Sequence, residues 1–352
     1  MEPPPAGAER AKAGLPMTDG ALIVVGASAG GLEALEALVR ELPADLPAAV
    51  CVVLHIGDRP STAPSILDRA GPLSASHATD REPLRAGRIY VAPPGCHLVV
   101  EPPGRLRLSR GPRENSTRPA ADPLFRSAAR ACGPKVVGVV LSGALNDGTA
   151  GLAEIKRQGG IAVVQDPADA RHPGMPRSAL DHVAVDHCVP AAAMGALLAR
   201  LAAERVPAAT RPVASKVASM EASMEGMYKL ETPSALTCPD CGGALRETKV
   251  DTLPYFTCHI GHRYGADSME EAQLHMVEQA FEVALRALNE RAALCQRLAE
   301  TAQGVGQALS AKRWDEAGRE ARERAEVLIR FLGEEWVRPS IAPGSGGEPD
   351  RF

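Results

Sequence analysis

A serine stands at the centre of Gly26-Ala27-Ser28-Ala29-Gly30-Gly31, directly after the apolar run Ala21–Val25 and directly before the amphipathic run Leu32–Leu42. That order compresses a buried strand, a tight turn and a helix start into one short stretch. A hydroxyl held in such a turn sits on a sheet edge at the positive end of a helix. Glycines on both sides let the backbone bend sharply and let a substrate approach. This is the form of a G-x-S-x-G nucleophile elbow. It is also close to the dinucleotide fingerprint G-x-G-x-x-G, whose second glycine is here replaced by Ser28. The turn alone leaves acyl transfer and nucleotide binding both open.

A nucleophilic serine needs a base within hydrogen-bond reach, and the base needs an orienting acid. In an open parallel sheet such groups collect beyond the C-terminal ends of strands. His55 directly follows Val52-Val53-Leu54, and Asp147 follows Val139-Val140-Leu141 after a short loop. Three strand ends on one sheet edge can bring Ser28, His55 and Asp147 together. Their chain order, serine then histidine then aspartate, differs from the serine-acid-histidine order of α/β-hydrolases. Asn146-Asp147-Gly148 by itself is only a turn sequence.

A second group of residues points to metal. Cys238-Pro-Asp-Cys241-Gly-Gly has the form of a metal knuckle, and Cys258 with His262 follows after a segment long enough for a short hairpin. Cys238, Cys241, Cys258 and His262 make a Cys3His set suited to a closed, structural, tetrahedral zinc site. His259 is the competing nitrogen donor, but its adjacency to Cys258 makes joint chelation awkward. A module this small needs the ion to fold. With no ligand position left open, it reads as structural and not catalytic.

The elements that must position these residues follow from the apolar pattern. From Ala21 to about Ala203 short apolar runs alternate with helical ones. The runs Ala21–Val25, Ala49–Leu54, Val136–Leu141, Ile161–Val164 and a weaker Ala184–Val189 read as parallel strands, with helices over Leu32–Leu42, Asp122–Ala131 and Thr149–Gln158. Near-continuous apolar strands are those covered on both faces, so the fold class is α/β, a doubly wound and mostly parallel sheet. Arg88–Ala92, His97–Glu101 and Arg105–Ser109, separated by Pro-Pro-Gly turns, predict an antiparallel hairpin or meander. After Ala266 the apolar residues Leu274, Val277, Phe281, Ala284, Leu288, Ala292, Cys295 and Ala299 recur at helical steps. Gly304-Val305-Gly306 breaks that pattern. A second helix over about Leu309–Leu332 completes an α-helical hairpin, with Trp314, Ala317, Ala321, Leu328 and Leu332 on one face.

Composition removes several function classes. Of 352 residues 23% are charged and the net charge is −4, so nothing biases the chain toward nucleic acid or anionic membranes. Aromatics at 3% leave few platforms for stacking on bases. No apolar run approaches a membrane span, and the N-terminus lacks the apolar core of a secretory signal. These features predict a cytoplasmic protein that binds no nucleic acid and is not membrane-embedded. The eight cysteines then read as thiols or metal ligands, with Cys51, Cys96, Cys132 and Cys188 as single core residues.

The stretch from Ala21 to Leu201 resembles the catalytic domain of CheB-type chemotaxis methylesterases. The resemblance rests on Gly26 to Gly31, the strand-end His55, Arg88-Ile-Tyr-Val-Ala-Pro-Pro94 with His97, Asp122-Pro-Leu-Phe-Arg126, Asn146-Asp147-Gly148 with Gly151, and Asp166-Pro167 leading to Met175-Pro176. It implies Ser28 as nucleophile, His55 as base and Asp147 as orienting acid, with no cofactor for catalysis. It also implies hydrolysis of glutamate methyl esters, and in some members glutamine deamidation. The partner would be a methylated chemoreceptor or another methylated signalling protein, with a methyltransferase or kinase of the same pathway as further candidates. His97, His172, His182 and His187 read as structural or surface residues, with His97 and Arg126 as candidates for the substrate's neighbourhood. The backbone amides around Ala29 and Ala144–Leu145 are candidates for an oxyanion hole.

The sequence departs from the family pattern in three places. Ala29 stands where threonine is frequent, and Gly143-Ala144-Leu145 stands where Gly-Met-Gly is frequent. The receiver domain of well-known members is missing before Ala21, so phosphorylation of an attached receiver is not expected to be the switch. The expected layout is a disordered tail (1–20), the catalytic domain (21–204), a linker (205–234), a zinc-ribbon-like module (235–265), the helical hairpin (266–338) and a second disordered tail (339–352). The competing reading is a non-catalytic signalling scaffold whose zinc module and helices bind protein partners.

Overall fold

A computed structural model describes residues 20–55, 60–205, 236–250, 253–334 and Trp336. The anticipated linker and both tails lie essentially outside these residues. The chain divides into two compact units, one within Met1–Ala272 and one within Gln273–Phe352.

In the first unit the continuous apolar runs become strands. They are β1 (Ala21–Ala27), β2 (Ala48–Leu54), β3 (Ser74–His77), β4 (Arg88–Val91), β5 (His97–Glu101), β6 (Arg105–Ser109), β7 (Val136–Val140), β8 (Ile161–Gln165) and β9 (His187–Val189). Seven of them form one sheet in the order β3-β4-β2-β1-β7-β8-β9, and its pairings are parallel. The remaining two, β5 and β6, pair antiparallel as a separate hairpin.

Arg88–Val91 therefore belongs to the main sheet and not to a meander. Ile89, Tyr90 and Val91 are all buried, a pattern that only a strand covered on both faces satisfies. Tyr90 meets the requirement of a buried hydroxyl by accepting the Arg85 amide and donating to the Pro83 carbonyl.

Among the described residues six helices cover the sheet: α1 (Gly31–Arg40), α2 (Ala63–Ala70), α3 (Ala121–Cys132), α4 (Thr149–Arg157), α5 (Gly174–His182) and α6 (Ala191–Glu204). One face buries Leu35 and Leu38 of α1, Leu67 of α2 and Leu198 of α6 against β1 and β2. The other buries Phe125 of α3, Leu152 and Ile155 of α4 and Met175 of α5, together with Leu98 and Leu106 of the β5–β6 hairpin. Strand order reverses at β1, which is flanked by β2 on one side and β7 on the other. A crevice outside the strand ends at such a reversal is where α/β sheets bind ligands.

The cysteine module adds a second small sheet of β10 (Leu245–Val250), β11 (Leu253–Cys258) and β12 (Arg263–Gly265), all antiparallel. It leads directly into the long helix α7 (Ala266–Gly304), followed by α8 (Ala308–Gly333).

Within the second unit, Phe281 stacks on Phe331 while Gly318 lies against Cys295 and Ala292. Positions rising along α8 thus meet positions falling along α7, which is an antiparallel hairpin. Small residues are the buried ones on both helices: Ala292, Cys295, Ala299 and Ala302 of α7, and Ala311, Gly318, Ala321 and Ala325 of α8. The expected apolar face of α7 is buried only toward its C-terminal end, and Val277 and Ala284 are exposed. With 39 residues in α7 and 26 in α8, the shorter helix cannot cover the longer one.

Candidate active site

Ser28 is the first residue past β1 and is half-buried at the sheet edge. The parallel register pairs Ala27 with Leu54, and the His55 amide donates to the Ala27 carbonyl at 3.1 Å. Ser28 and His55 are thus the next positions on two neighbouring strands. On the other side the Ser28 amide donates to the Ser142 carbonyl at 2.9 Å, extending the β1–β7 ladder by one step. Gly30 turns the chain into α1 with φ +67°, a conformation glycine adopts without strain.

Asp147 is almost fully buried. Its Oδ2 lies 2.8 Å from His55 Nε2 and accepts the Ala121 amide at 2.5 Å. Its Oδ1 accepts Asn115 Nδ2 at 2.8 Å and the Asp122 amide at 3.2 Å. The two backbone donors are the first amides of α3, whose own N-cap residue, Ala120, supplies no side-chain cap. Asp147 therefore caps α3 from across the fold and sits at its positive end. Burial would raise its carboxyl, but the hydrogen bond and charge of His55, with the Ala121 amide and Asn115, outweigh that and hold it below the ordinary carboxylate range.

The charge on Asp147 acts on its neighbour. Asp122 is fully buried, and burial followed by the Asp147 charge pushes its carboxyl up to about 7. Its Oδ1 accepts the Gly151 amide at 2.6 Å, and its Oδ2 accepts Asn115 Nδ2 at 3.0 Å.

With Nε2 donating to Asp147, the free nitrogen of His55 is Nδ1. The His55 side chain is 16% exposed and that of Asp147 3%, so the ring lies on the solvent side of the buried acid. The loop Gly143-Ala144-Leu145 lines the other side. A Cβ on Gly143 would overlap Met175 Sδ and come within 2.8 Å of Ser28 Cβ, which places Met175 beside the serine turn. The Gly143 amide is taken by the His172 carbonyl at 2.9 Å. The amides of Ala29, Ala144 and Leu145 carry no hydrogen bond among the described residues. Leu145 has φ +60°, so this sequence tolerates a left-handed residue where glycine would be unstrained.

His97 and Arg126 lie elsewhere than the crevice mouth. His97 is buried, its Nδ1 accepting the Ala120 amide and its Nε2 donating to the Pro112 carbonyl, so it braces the chain entering α3. Arg126 is held by both carboxylate oxygens of Glu114, at 2.5 and 2.7 Å. Sequence reasoning gave Asn115 and Asn146 no role and missed the pairing of Asp122 with Asp147. Their partners are distant in the chain, and a lone Asn in a Glu-Asn-Ser-Thr turn carries no signal.

The donor atoms of Cys238, Cys241, Cys258 and His262 all lie within 4.8 Å of one another. Cys241 and Cys258 sulfurs are 3.7 Å apart, and His262 Nδ1 is 3.5 and 3.6 Å from the Cys258 and Cys238 sulfurs. A tetrahedral ion with bonds of about 2.3 Å to sulfur and about 2.0 Å to nitrogen holds its donors roughly 3.5–3.8 Å apart. The set fits a zinc ion. His259 is not in the cluster.

The sequence model of the CheB methylesterase family matches residues 23–198. A putative protein-glutamate methylesterase/protein-glutamine glutaminase of Leptospira interrogans is 38% identical over 180 residues, covering 51% of this chain and 93% of that protein. A protein-glutamate methylesterase/protein-glutamine glutaminase of Anaeromyxobacter dehalogenans is 43% identical over 170 residues, covering 48% of this chain and 50% of that protein. The solved catalytic domain of Thermotoga maritima CheB methylesterase is 31% identical, with a TM-score of 0.49 over 52% of this chain and 98% of that one. Through the region that carries Ser28, His55 and Asp147, this chain belongs to the CheB methylesterase family.

Proposed function

We propose that this chain is a protein-glutamate methylesterase that works through Ser28, His55 and Asp147. The observation that carries the reading is the buried carboxylate of Asp147 on His55 Nε2, with His55 and Ser28 on adjacent strand ends. His55 Nδ1 takes the Ser28 Oγ proton as Oγ attacks the ester carbonyl carbon. The imidazolium returns that proton to the departing methoxide, and methanol leaves an acyl-enzyme. Water, deprotonated by the same nitrogen, then releases the glutamate and regenerates Ser28. The amides of Ala29, Ala144 and Leu145 are the donors available to the oxyanion, since those of Ser28 and Gly143 already serve the backbone. The same route on a glutamine carboxamide would release ammonia.

Membership of the family supports a methylated chemoreceptor or a related methylated signalling protein as substrate. A structural zinc on Cys238, Cys241, Cys258 and His262 is supported by donor spacing, and catalysis needs no cofactor. The non-catalytic scaffold reading is disfavoured because a scaffold has no use for an ionised carboxylate buried against a histidine. Methanol release from a peptide bearing a glutamate γ-methyl ester tests the function. Turnover by wild type and its loss in Ser28→Ala are expected; equal release by both proteins would overturn the assignment.

A further inference from the structure

The cysteine module is docked on the back of the acid. Its strand β12 lies beside Glu114 and Asn115: the Asn115 amide donates to the Arg263 carbonyl at 2.7 Å, and the Gly265 amide donates to Asn115 Oδ1 at 2.9 Å. Asn115 is the residue whose Nδ2 donates to Asp147. One residue before Asp147, Asn146 Oδ1 accepts the Ser268 hydroxyl at 2.7 Å, and a Cβ on Gly265 would overlap the Asn146 side chain. Further out, Tyr255 donates to Asp122 Oδ2 at 3.3 Å and packs with Leu253 on Ala150 of α4. These contacts are buried and converge on Asn115, which donates to Asp147, and on Asn146, its neighbour in the chain.

We infer that the metal module is a positioning element of the esterase: by fixing Asn115 and Asn146 it holds Asp147 on His55, so that metal loading sets the turnover rate. The inference rests on the methylesterase reading above.

The physical case starts from Asn115. It sits at φ +51° and Ser116 at φ +61°, conformations that persist only when surroundings enforce them. Its carboxamide must point Nδ2 at two carboxylates, and the Gly265 amide on Oδ1 is what fixes that orientation. Without it the amide is free to turn, and Asp147 Oδ1 keeps only the longer 3.2 Å bond from the Asp122 amide. The carboxylate can then rotate away from Nε2, and catalytic groups tolerate only small displacements.

The module's own core contains Cys238 and Cys258 together with Leu245, Tyr264 and Met269. Two metal-donor cysteines thus stand within a core too small to fold alone, and loss of the ion should release β12. An independent partner-binding module would have no reason to bury polar contacts against the residues around Asp147.

The test uses the full chain and the methyl-ester peptide, with kcat counted per folded protein. Three forms are compared with zinc-loaded wild type: protein stripped of zinc by a chelator, Gly265→Ala, and Ser268→Ala, with metal content measured for each. Ser268→Ala adds no bulk and keeps the test valid if Gly265→Ala fails to hold its zinc. The expected result is a kcat at least about tenfold lower with KM within about twofold, approaching the roughly hundredfold cost of a 1 Å misplacement. Zinc added back should restore the stripped protein. The downfield proton resonance of the His55–Asp147 hydrogen bond, absent in His55→Ala, should shift or broaden in the same forms. Unchanged kcat and an unchanged resonance after stoichiometric zinc loss would overturn the inference while leaving the esterase reading intact. Absence of turnover in zinc-loaded wild type itself would overturn both.

Discussion

The Oδ2 atom of Asp147 lies 2.8 Å from Nε2 of His55, and the same oxygen receives the first amide of α3. One carboxylate thereby caps a helix, orients an imidazole and stays ionised in a buried place. With Nε2 donating to that carboxylate, Nδ1 is the nitrogen left to act as a base in the proposed mechanism.

Asp147→Asn should preserve the fold and lose rate. An Asn amide can donate to Nε2, which moves the ring proton to Nδ1 and removes the base from the serine side. A fall in kcat on the order of 10³–10⁴-fold is expected, the scale of the same change in a serine protease triad. Steady-state kinetics on folded protein checks this, and a change confined to the melting temperature would leave Asp147 a purely structural cap.

Ser28→Ala and His55→Ala should each abolish most turnover, and the double variant should be little worse than either single one. Groups that act as a unit are not additive. Measured methanol release that falls multiplicatively in the double variant would mean that the two residues act separately. Labelling of Ser28 by a serine-reactive phosphonate should likewise drop in His55→Ala.

Asp122 should give the fold a pH dependence of its own. Its folded carboxyl is raised to about 7, whereas the unfolded one titrates near 4. The folded state therefore binds the proton more tightly, and the stabilisation present below about pH 4 is lost as pH rises through about 7. Asp147, held below the ordinary range, acts in the opposite sense, with its contribution lost only as pH falls further. The melting temperature of wild type should decline relative to Asp122→Asn between about pH 4 and pH 7 and run parallel above that. Parallel curves across the whole range would contradict the shift.

The purified chain should carry about one zinc per molecule, released by chelator and absent from Cys238→Ser. Metal analysis under reducing conditions reads this directly. Zinc retained in full by Cys238→Ser would place the ion elsewhere. His259→Ala should keep its zinc, since His259 lies outside the donor cluster.

Much of the architecture is legible in the chain because it depends on local pattern. Ala21–Ala27, Ala48–Leu54 and Val136–Val140 are apolar at nearly every position, which marks strands covered on both faces. Polar residues just past such runs, Ser28 and His55, stand out because a sheet edge is where they must fall. The Cys3His spacing is legible for the same reason: ligands close in sequence are held close by a turn. The short elements β3 and α2 carried too weak a periodicity to be read, and β4 was misread because its following Pro-Pro-Gly turn suggested a hairpin.

The sequence by itself determined the doubly wound sheet, the serine and histidine at two strand ends on one sheet edge, and a donor set of the right number and kind for zinc. Only the tertiary structure decided how Asp147 is held. Its partners come from two distant segments, His55 after β2 and Asn115 with Ala121 at the entry to α3, and Asn115 is fixed in turn by Gly265 from the cysteine module. Periodicity reports which face of an element is buried, but a hydrogen bond between residues 150 positions apart leaves no local pattern. It exists because packing Tyr255 and Leu253 on α4 brings β12 beside the loop that holds Asn115, and buried polar groups there must pair with one another.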